Sequence, residues 1–173
     1  MRLTTVLAAV LIAVVLQVTF ARYTVGGRWA FDLVLVGVVY VALRWEAVAG
    51  MVAGTVGGLL QDMLSGGIIG VGGLAKTLTG FATGVVGTQF VVAKPHARAV
   101  IVGGATILHR LIMLVLQGLI DQRWPGLPWT AMLGETAINS VCGFLAFHLS
   151  DALPGAMGRG RMSRRGSLGR RQW

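Results

Sequence analysis

Long apolar stretches separated by short polar connections restrict this chain more than any other feature of its sequence. A membrane-spanning helix needs about 20 mostly apolar residues, and tilt extends the usable range to roughly 17–25. Six stretches approach or reach that length, at residues 3–21, 29–43, 47–60, 68–92, 97–120 and 129–149. Because these runs are continuous and not alternating, they disfavour a membrane β-barrel. The pattern predicts an all-α integral membrane protein, a six-helix transmembrane bundle.

The composition agrees with a membrane location. Of the 173 residues, 55% are hydrophobic and 12% are charged, whereas soluble domains carry about 25% charged residues. So few charges leave too little polar surface to cover a soluble globule. We therefore expect one transmembrane domain over residues 1–152, followed by a basic, disordered tail at 153–173.

Three of the six stretches have a second interpretation. The first has a basic start and a small residue at its end, which also fits a cleaved signal peptide. The second and third are short and rich in glycine. They fit one helical hairpin with its turn at Arg44-Trp45-Glu46, where the tryptophan would lie at the membrane interface.

Positive charges predict that both termini are cytoplasmic. Six spans place both termini on one side, together with Arg2, Arg44, Lys94 and Arg98, whereas the other side holds Arg22, Arg28 and Arg123. Excess cytoplasmic lysine and arginine fixes orientation, and the tail decides the count. Beside a membrane such a tail indicates topology control, contact with anionic lipid or binding of a cytoplasmic partner, and not nucleic-acid binding. The tail arginines are Arg159, Arg161, Arg164, Arg165, Arg170 and Arg171.

Four charged residues lie inside predicted spans, beyond the first and last two residues of each: Asp32, Lys76, Arg110 and Glu135. Each costs at least about 2.5 kcal/mol at the centre of the bilayer, their formal charges sum to zero, and Asp62 lies near the same outer surface. This arrangement predicts mutual pairing, and it leaves Asp32, Asp62 and Glu135 open as partners of Lys76. Pairs that only fix packing, a solute pocket and a docking site for a partner all agree with the pattern.

Small residues recur at helical spacing and predict close helix packing. Glycines four residues apart let helix backbones approach each other. We expect the small, polar faces to form the interior of the bundle, with leucine, valine and isoleucine facing lipid. The packing glycines are Gly50, Gly54, Gly58, Gly80 and Gly84.

Nothing in the sequence indicates an enzyme or a bound cofactor. Cys142 is the only cysteine, so an internal disulfide and a cysteine metal site are excluded. No acidic or histidine set has metal-ligand spacing, and no nucleophile or phosphate-binding motif is present. His109 is interpreted as an interior histidine.

Residues 32–80 carry a specific pattern. It runs from Asp32-Leu33 through Tyr40 and Ala42-Leu43-Arg44 to Gly58, Asp62, the glycine-rich turn of Ser65, Gly66, Gly67 and Gly70, and finally Ala75-Lys76-Thr77 and Gly80. This pattern resembles the bacterial rod shape-determining protein MreD family. Phe31 and Ile68 stand where that family usually has proline.

The resemblance implies a non-enzymatic component of the rod (elongation) complex in the inner membrane. It implies association with MreC and with the MreB filament, beside a glycosyltransferase and a penicillin-binding transpeptidase of lateral wall synthesis. It also implies a fold similar to the substrate-binding subunits of energy-coupling-factor transporters, with an outward-facing cavity. A vitamin-type solute-binding subunit that uses this cavity is the alternative function.

Overall fold

A computed structural model describes residues 3–21, 31–66, 68–89, 95–124 and 126–166 of the chain. This described part is helical and contains no strand, in agreement with the all-α prediction. Its five helices are α1 (Leu3–Ala21), α2 (Leu33–Ser65), α3 (Val71–Gln89), α4 (Pro95–Asp121) and α5 (Trp129–Gly166).

The helix α2 turns back on itself, so two predicted stretches lie within one continuous element. Trp45 and Glu46 have non-helical backbone angles, with φ of +72° at Glu46. A Cβ atom on Gly57 would lie 2.9 Å from Val34 Cγ1, although 23 residues of straight helix span about 35 Å. The two arms of α2 are therefore antiparallel, and the reversal lies at the predicted turn. The described residues form five helices where the sequence predicted six, and six membrane crossings stay a prediction.

Glycines bring the second arm of α2 and α3 into backbone contact. A Cβ atom on Gly50 would lie 2.5 Å from the carbonyl oxygen of Gly80, and one on Gly58 would lie 2.5 Å from Gly73 Cα. Real side chains do not pack this closely, so the approach requires glycine. Gly54 packs in the same way on the backbone of Lys76, and Gly84 on Ala47. We call this contact the glycine seam.

Two kinds of helix surface face the interior of the bundle: a small, polar one, which the sequence predicted, and a valine-rich one, which it did not. The face of α3 that packs on α2 is small and polar, and it includes Thr79 and Thr83. The first arm of α2, in contrast, buries valines that pack both on α1 and on α4 and α5. The expectation that branched apolar residues mainly face lipid is wrong for this arm, because neighbouring helices cover it on both sides. Its buried valines are Val34, Val36, Val38, Val39 and Val41.

Three helical segments of the described part are long and apolar enough to cross a membrane: Leu33–Ser65, His96–Asp121 and Trp129–Asp151. A shorter apolar segment covers Val6–Thr19 of α1. The helix α3 does not meet this criterion, although its stretch was predicted to span, since glycine, threonine and lysine lower its hydropathy.

The last helix continues beyond the predicted final span. It ends at Gly166, so the backbone of residues 153–166 is helical where the sequence predicted a disordered tail. That prediction rested on the run of arginines, with no acidic residue after Asp151. The division into two domains at residue 152 stays a prediction.

Candidate functional site

Asp32 lies at the N-cap of α2, where its carboxylate contacts both a helix end and a cation. Its Oδ1 atom accepts a hydrogen bond from the backbone N–H of Leu35 at 2.9 Å, as N-cap side chains do. Its Oδ2 atom forms an ion pair with Lys76 Nζ at 2.7 Å. Both residues are buried. Of the three acids that the sequence left open as partners for Lys76, the structure places Asp32 in contact with it.

A polar network from α4 and α5 surrounds this ion pair. His109 Nε2 lies 3.5 Å from Lys76 Nζ and 3.8 Å from Asp32 Oδ2. Asn139 accepts a hydrogen bond from the backbone N–H of Asp32 at 3.0 Å, and its Nδ2 donates to Thr106 Oγ1 at 3.3 Å. The start of α2 is thereby fixed to two other helices.

Arg110 and Glu135 form a second pair, which joins α4 to α5. The Nε atom of Arg110 donates to Glu135 Oε2. The glutamate side chain is 3% exposed and the arginine side chain is 40% exposed. A buried carboxylate is thus neutralised by a cation that still reaches the surface of the helix bundle. The four charges predicted to lie within spans therefore form two separate pairs.

Asp62 does not contact Lys76 and instead organises the glycine-rich turn. Its Oδ2 atom accepts hydrogen bonds from the backbone N–H groups of Gly70 at 2.9 Å and Gly73 at 3.0 Å. These N–H groups lie at the start of α3, where they have no acceptor within the helix itself. A negative charge at this end also complements the helix dipole. Gly66 ends α2 with φ of +69° and Gly70 has φ of +102°, so the turn needs glycine at both positions.

The remaining turn residues are placed as follows. Ser65 Oγ donates to the carbonyl oxygen of Gln61 at 2.8 Å, which closes the last turn of α2. Gly67 lies outside the described residues.

A polar cavity of about 210 Å³ lies among these groups. The two charge pairs and Asp62 contribute to its wall, and so does His109. The sequence had grouped the five charged residues, and the structure brings all five to this one cavity. We refer to it below as the polar cavity; its charged lining residues are Asp32, Asp62, Lys76, Arg110 and Glu135.

Two glutamines also line the polar cavity, and neither belonged to the cluster of charged residues that the sequence predicted. Gln17 of α1 donates to the carbonyl oxygen of Phe31 at 3.0 Å and accepts from the backbone N–H of Leu33 at 2.7 Å. It therefore ties α1 to the start of α2. Gln61 has a buried carboxamide oxygen with no hydrogen-bond partner. A single glutamine near the end of an apolar run was the only sequence signal for Gln17.

The described residues contain no metal site, and of the tail they include only the backbone of residues 153–166. Within the ranges that the structure describes, no three histidine, cysteine or acidic side chains are grouped to hold a metal ion. Arg159, Arg161, Arg164 and Arg165 belong to the helical backbone of α5, but their side chains are outside the described residues, as are Arg170 and Arg171 entirely.

The comparisons with known proteins identify the family. The family model of the rod shape-determining protein MreD matches residues 1–134, which is more than half of the 173 residues. No curated protein and no solved structure matches the chain significantly. The matched region includes Asp32, Asp62, Lys76 and Arg110, and it ends one residue before Glu135. The chain therefore belongs to the rod shape-determining protein MreD family, whose members are membrane proteins of the rod complex that determine cell shape.

Proposed function

We propose that this chain is a non-enzymatic scaffold in the bacterial inner membrane. It associates with MreC and, directly or through other subunits, with MreB. In this way it organises the glycosyltransferase and the penicillin-binding transpeptidase of lateral wall synthesis. The family match supports the role in cell shape, and the partners are part of the proposal.

The pairing of the buried charges is the observation that carries this proposal. A solute-binding subunit needs polar groups that are free to contact its solute. Here Lys76 is bound to Asp32 and Glu135 to Arg110, so most of the charge already has a partner within the protein. Such pairs keep helices in register, and removing one partner leaves a buried charge.

The proposed topology has six crossings, with the two arms of α2 as separate spans and both termini in the cytoplasm. The fold is proposed to be similar to the substrate-binding subunits of energy-coupling-factor transporters.

Topology is testable with single cysteines in a Cys142→Ala background. We expect Gln122→Cys to react with an impermeant thiol reagent added outside the cell, and Ser163→Cys to react only after permeabilisation. The reverse pattern would contradict the proposed orientation.

The scaffold role is tested by purifying the chain in a gentle detergent from its native membrane, with mass spectrometry of the proteins that accompany it. We expect MreC and the wall synthases. A transporter ATPase or a bound vitamin-type solute, without wall proteins, would instead support the solute-binding subunit.

A variant that lacks both charges of the buried pair shows in the same purification whether the pair serves packing or partner binding. The double substitution Lys76→Met with Asp32→Asn removes the buried pair together. If the pair serves packing, the folded double variant still captures MreC at the level of the unchanged chain. Gly104→Ala is the matched control, because a Cβ atom at Gly104 has no neighbour within 4 Å.

A further inference from the structure

An apolar groove adjoins the polar cavity and shares part of its wall. The groove has a volume of about 160 Å³ and lies between α1 and the second arm of α2. Gln17, Gln61 and Ser65 line both spaces. The apolar wall of the groove includes Val18, which is 43% exposed, and Leu64, which is 60% exposed. The groove is therefore accessible from the side of the helix bundle, and the shared residues connect it to the charged interior.

Several polar atoms around the polar cavity have no partner among the described residues. The carboxamide oxygen of Gln61 and Nδ1 of His109 are buried and lack a hydrogen bond, and His109 is only 5% exposed. Arg110 contacts Glu135 through Nε, which leaves its terminal nitrogens as donors. Buried polar groups normally find partners, so a ligand that offers both an acceptor and a donor would complete this wall.

The charge balance restricts that ligand further. Three acids and two bases line the polar cavity, which leaves a formal charge of 2 − 3 = −1 when His109 is neutral. A purely anionic group would add to the negative charge, and a purely cationic group would leave the Arg110 guanidinium unused. A group with one phosphate and one protonated amine satisfies both. Arginine binds phosphate well, and an amine N–H can donate to Gln61 Oε1 and to Asp62.

We propose that the polar cavity and the apolar groove together bind one zwitterionic phospholipid with a primary amine in its headgroup. The phosphate lies at Arg110, the amine lies at Gln61 and Asp62, and an acyl chain lies along Val18 and Leu64. The groove favours a lipid over a soluble headgroup, because a lipid has an acyl chain that can fill the apolar groove next to the charges and a soluble headgroup has none. This site is additional to the scaffold role and does not depend on it.

The test is native mass spectrometry of the full chain released from detergent after equilibration with defined lipids. The probes are phosphatidylethanolamine, phosphatidylcholine and phosphatidylglycerol with identical acyl chains. Phosphatidylcholine keeps both charges but has no amine N–H, so it loses the hydrogen bonds to Gln61 and Asp62. One such bond corresponds to about fivefold in affinity. We expect phosphatidylethanolamine to be retained at least about fivefold more than either other lipid.

Two variants test the two halves of the site. Arg110→Gln with Glu135→Gln removes the phosphate ligand and leaves no unpaired buried charge; we expect about a tenfold loss of binding. Val18→Trp fills the apolar groove from an exposed position and should displace the acyl chain. Val15→Trp is its control, since Val15 is 62% exposed on the same helix and does not line the groove. Folding is checked for each variant by its thermal unfolding in detergent.

The outcomes separate clearly. A preference for phosphatidylethanolamine that survives Val15→Trp and disappears in Val18→Trp and in the double variant supports the proposal. Equal retention of the three lipids, or unchanged retention in folded Val18→Trp, overturns it. Complete displacement of the lipid by soluble glycerophosphoethanolamine also overturns it, because the headgroup alone would then be the ligand. The fate of MreC in the purification experiment is a separate readout.

Discussion

Two ion pairs of this protein have the same length and very different surroundings. Lys76 Nζ lies 2.7 Å from Asp32 Oδ2, and Arg98 Nη1 lies 2.7 Å from Asp151 Oδ2. The side chains of the first pair are 4% and 10% exposed, and those of the second are 17% and 42% exposed. The first lies at the polar cavity, to whose wall all five described helices contribute. The second joins α4 and α5 near the opposite end of the bundle, where Arg98 also lies over the ring of Phe147 at 5.2 Å.

The comparison shows that burial, and not the distance between two charges, decides what an ion pair contributes. Water screens an exposed pair and can replace either partner, so such pairs contribute about 0–1 kcal/mol. A buried pair adds little net stability, but losing one partner leaves an unpaired charge and costs about 3–5 kcal/mol. Lys76 and Asp32 therefore restrict substitution more strongly than Arg98 and Asp151, although the distances agree.

The largest expected effect is at Lys76. Lys76→Met should lower the free energy of unfolding by about 3–5 kcal/mol, because the Asp32 carboxylate is left buried without its cation. Adding Asp32→Asn should restore most of that loss, since asparagine keeps the N-cap and removes the charge. The measurement is unfolding in mixed micelles. The control combines Lys76→Met with Glu135→Gln and should bring no recovery of stability. If this combination recovers stability and the combination with Asp32→Asn does not, the wrong acid has been assigned to Lys76.

The next largest effect is expected at the glycine seam, which we expect to hold Lys76 in its buried position. A Cβ atom on Gly54 would overlap the backbone of Lys76, so Gly54→Ala should separate the helices and cost about 1–3 kcal/mol. Gly104→Ala provides the matched control in α4. It should be neutral or stabilising by up to about 1 kcal/mol, because alanine favours a helix and has room there. Equal unfolding free energies for both variants would mean that the seam does not position Lys76.

A smaller effect is expected at Asp62, whose carboxylate is partly exposed and, among the described residues, accepts from backbone N–H groups and contacts no cation. Asp62→Ala should cost about 1–2 kcal/mol, since two N–H groups at the start of α3 lose their acceptor. Asp62→Asn retains an oxygen acceptor and should cost less. Hydrogen exchange of the Gly70 and Gly73 amides is the direct measurement, and slow exchange that persists in Asp62→Ala would contradict this role.

The smallest effect is expected at the exposed pair. Asp151→Asn should change the free energy of unfolding by less than about 1 kcal/mol, and any change should shrink further at high salt. Unfolding at low and high ionic strength measures both. A loss as large as that of Lys76→Met would show that exposure does not distinguish the two pairs.

The sequence predicted which residues need partners better than it predicted the partners. The charges inside the apolar stretches were recognisable, because an isolated charge in a bilayer is costly wherever it lies. The choice of Asp32 for Lys76 was not recognisable, because 44 residues and a helix reversal separate the two. Asp62 lies nearer in the chain but accepts from the backbone of the intervening turn. The glutamines of the polar cavity were not part of the predicted cluster, since they carry no charge.

The all-helical architecture, the reversal at Trp45–Glu46 and the glycine-rich turn were all predictable from the amino-acid sequence. These follow from local chemistry: apolar length, glycine spacing and backbone angles that few residues adopt. The three-dimensional packing was needed to show which acid neutralises which base, where valines are buried and that a polar cavity adjoins an apolar groove. Those features depend on the rotation and depth of each helix against its neighbours, and packing over the whole bundle sets both.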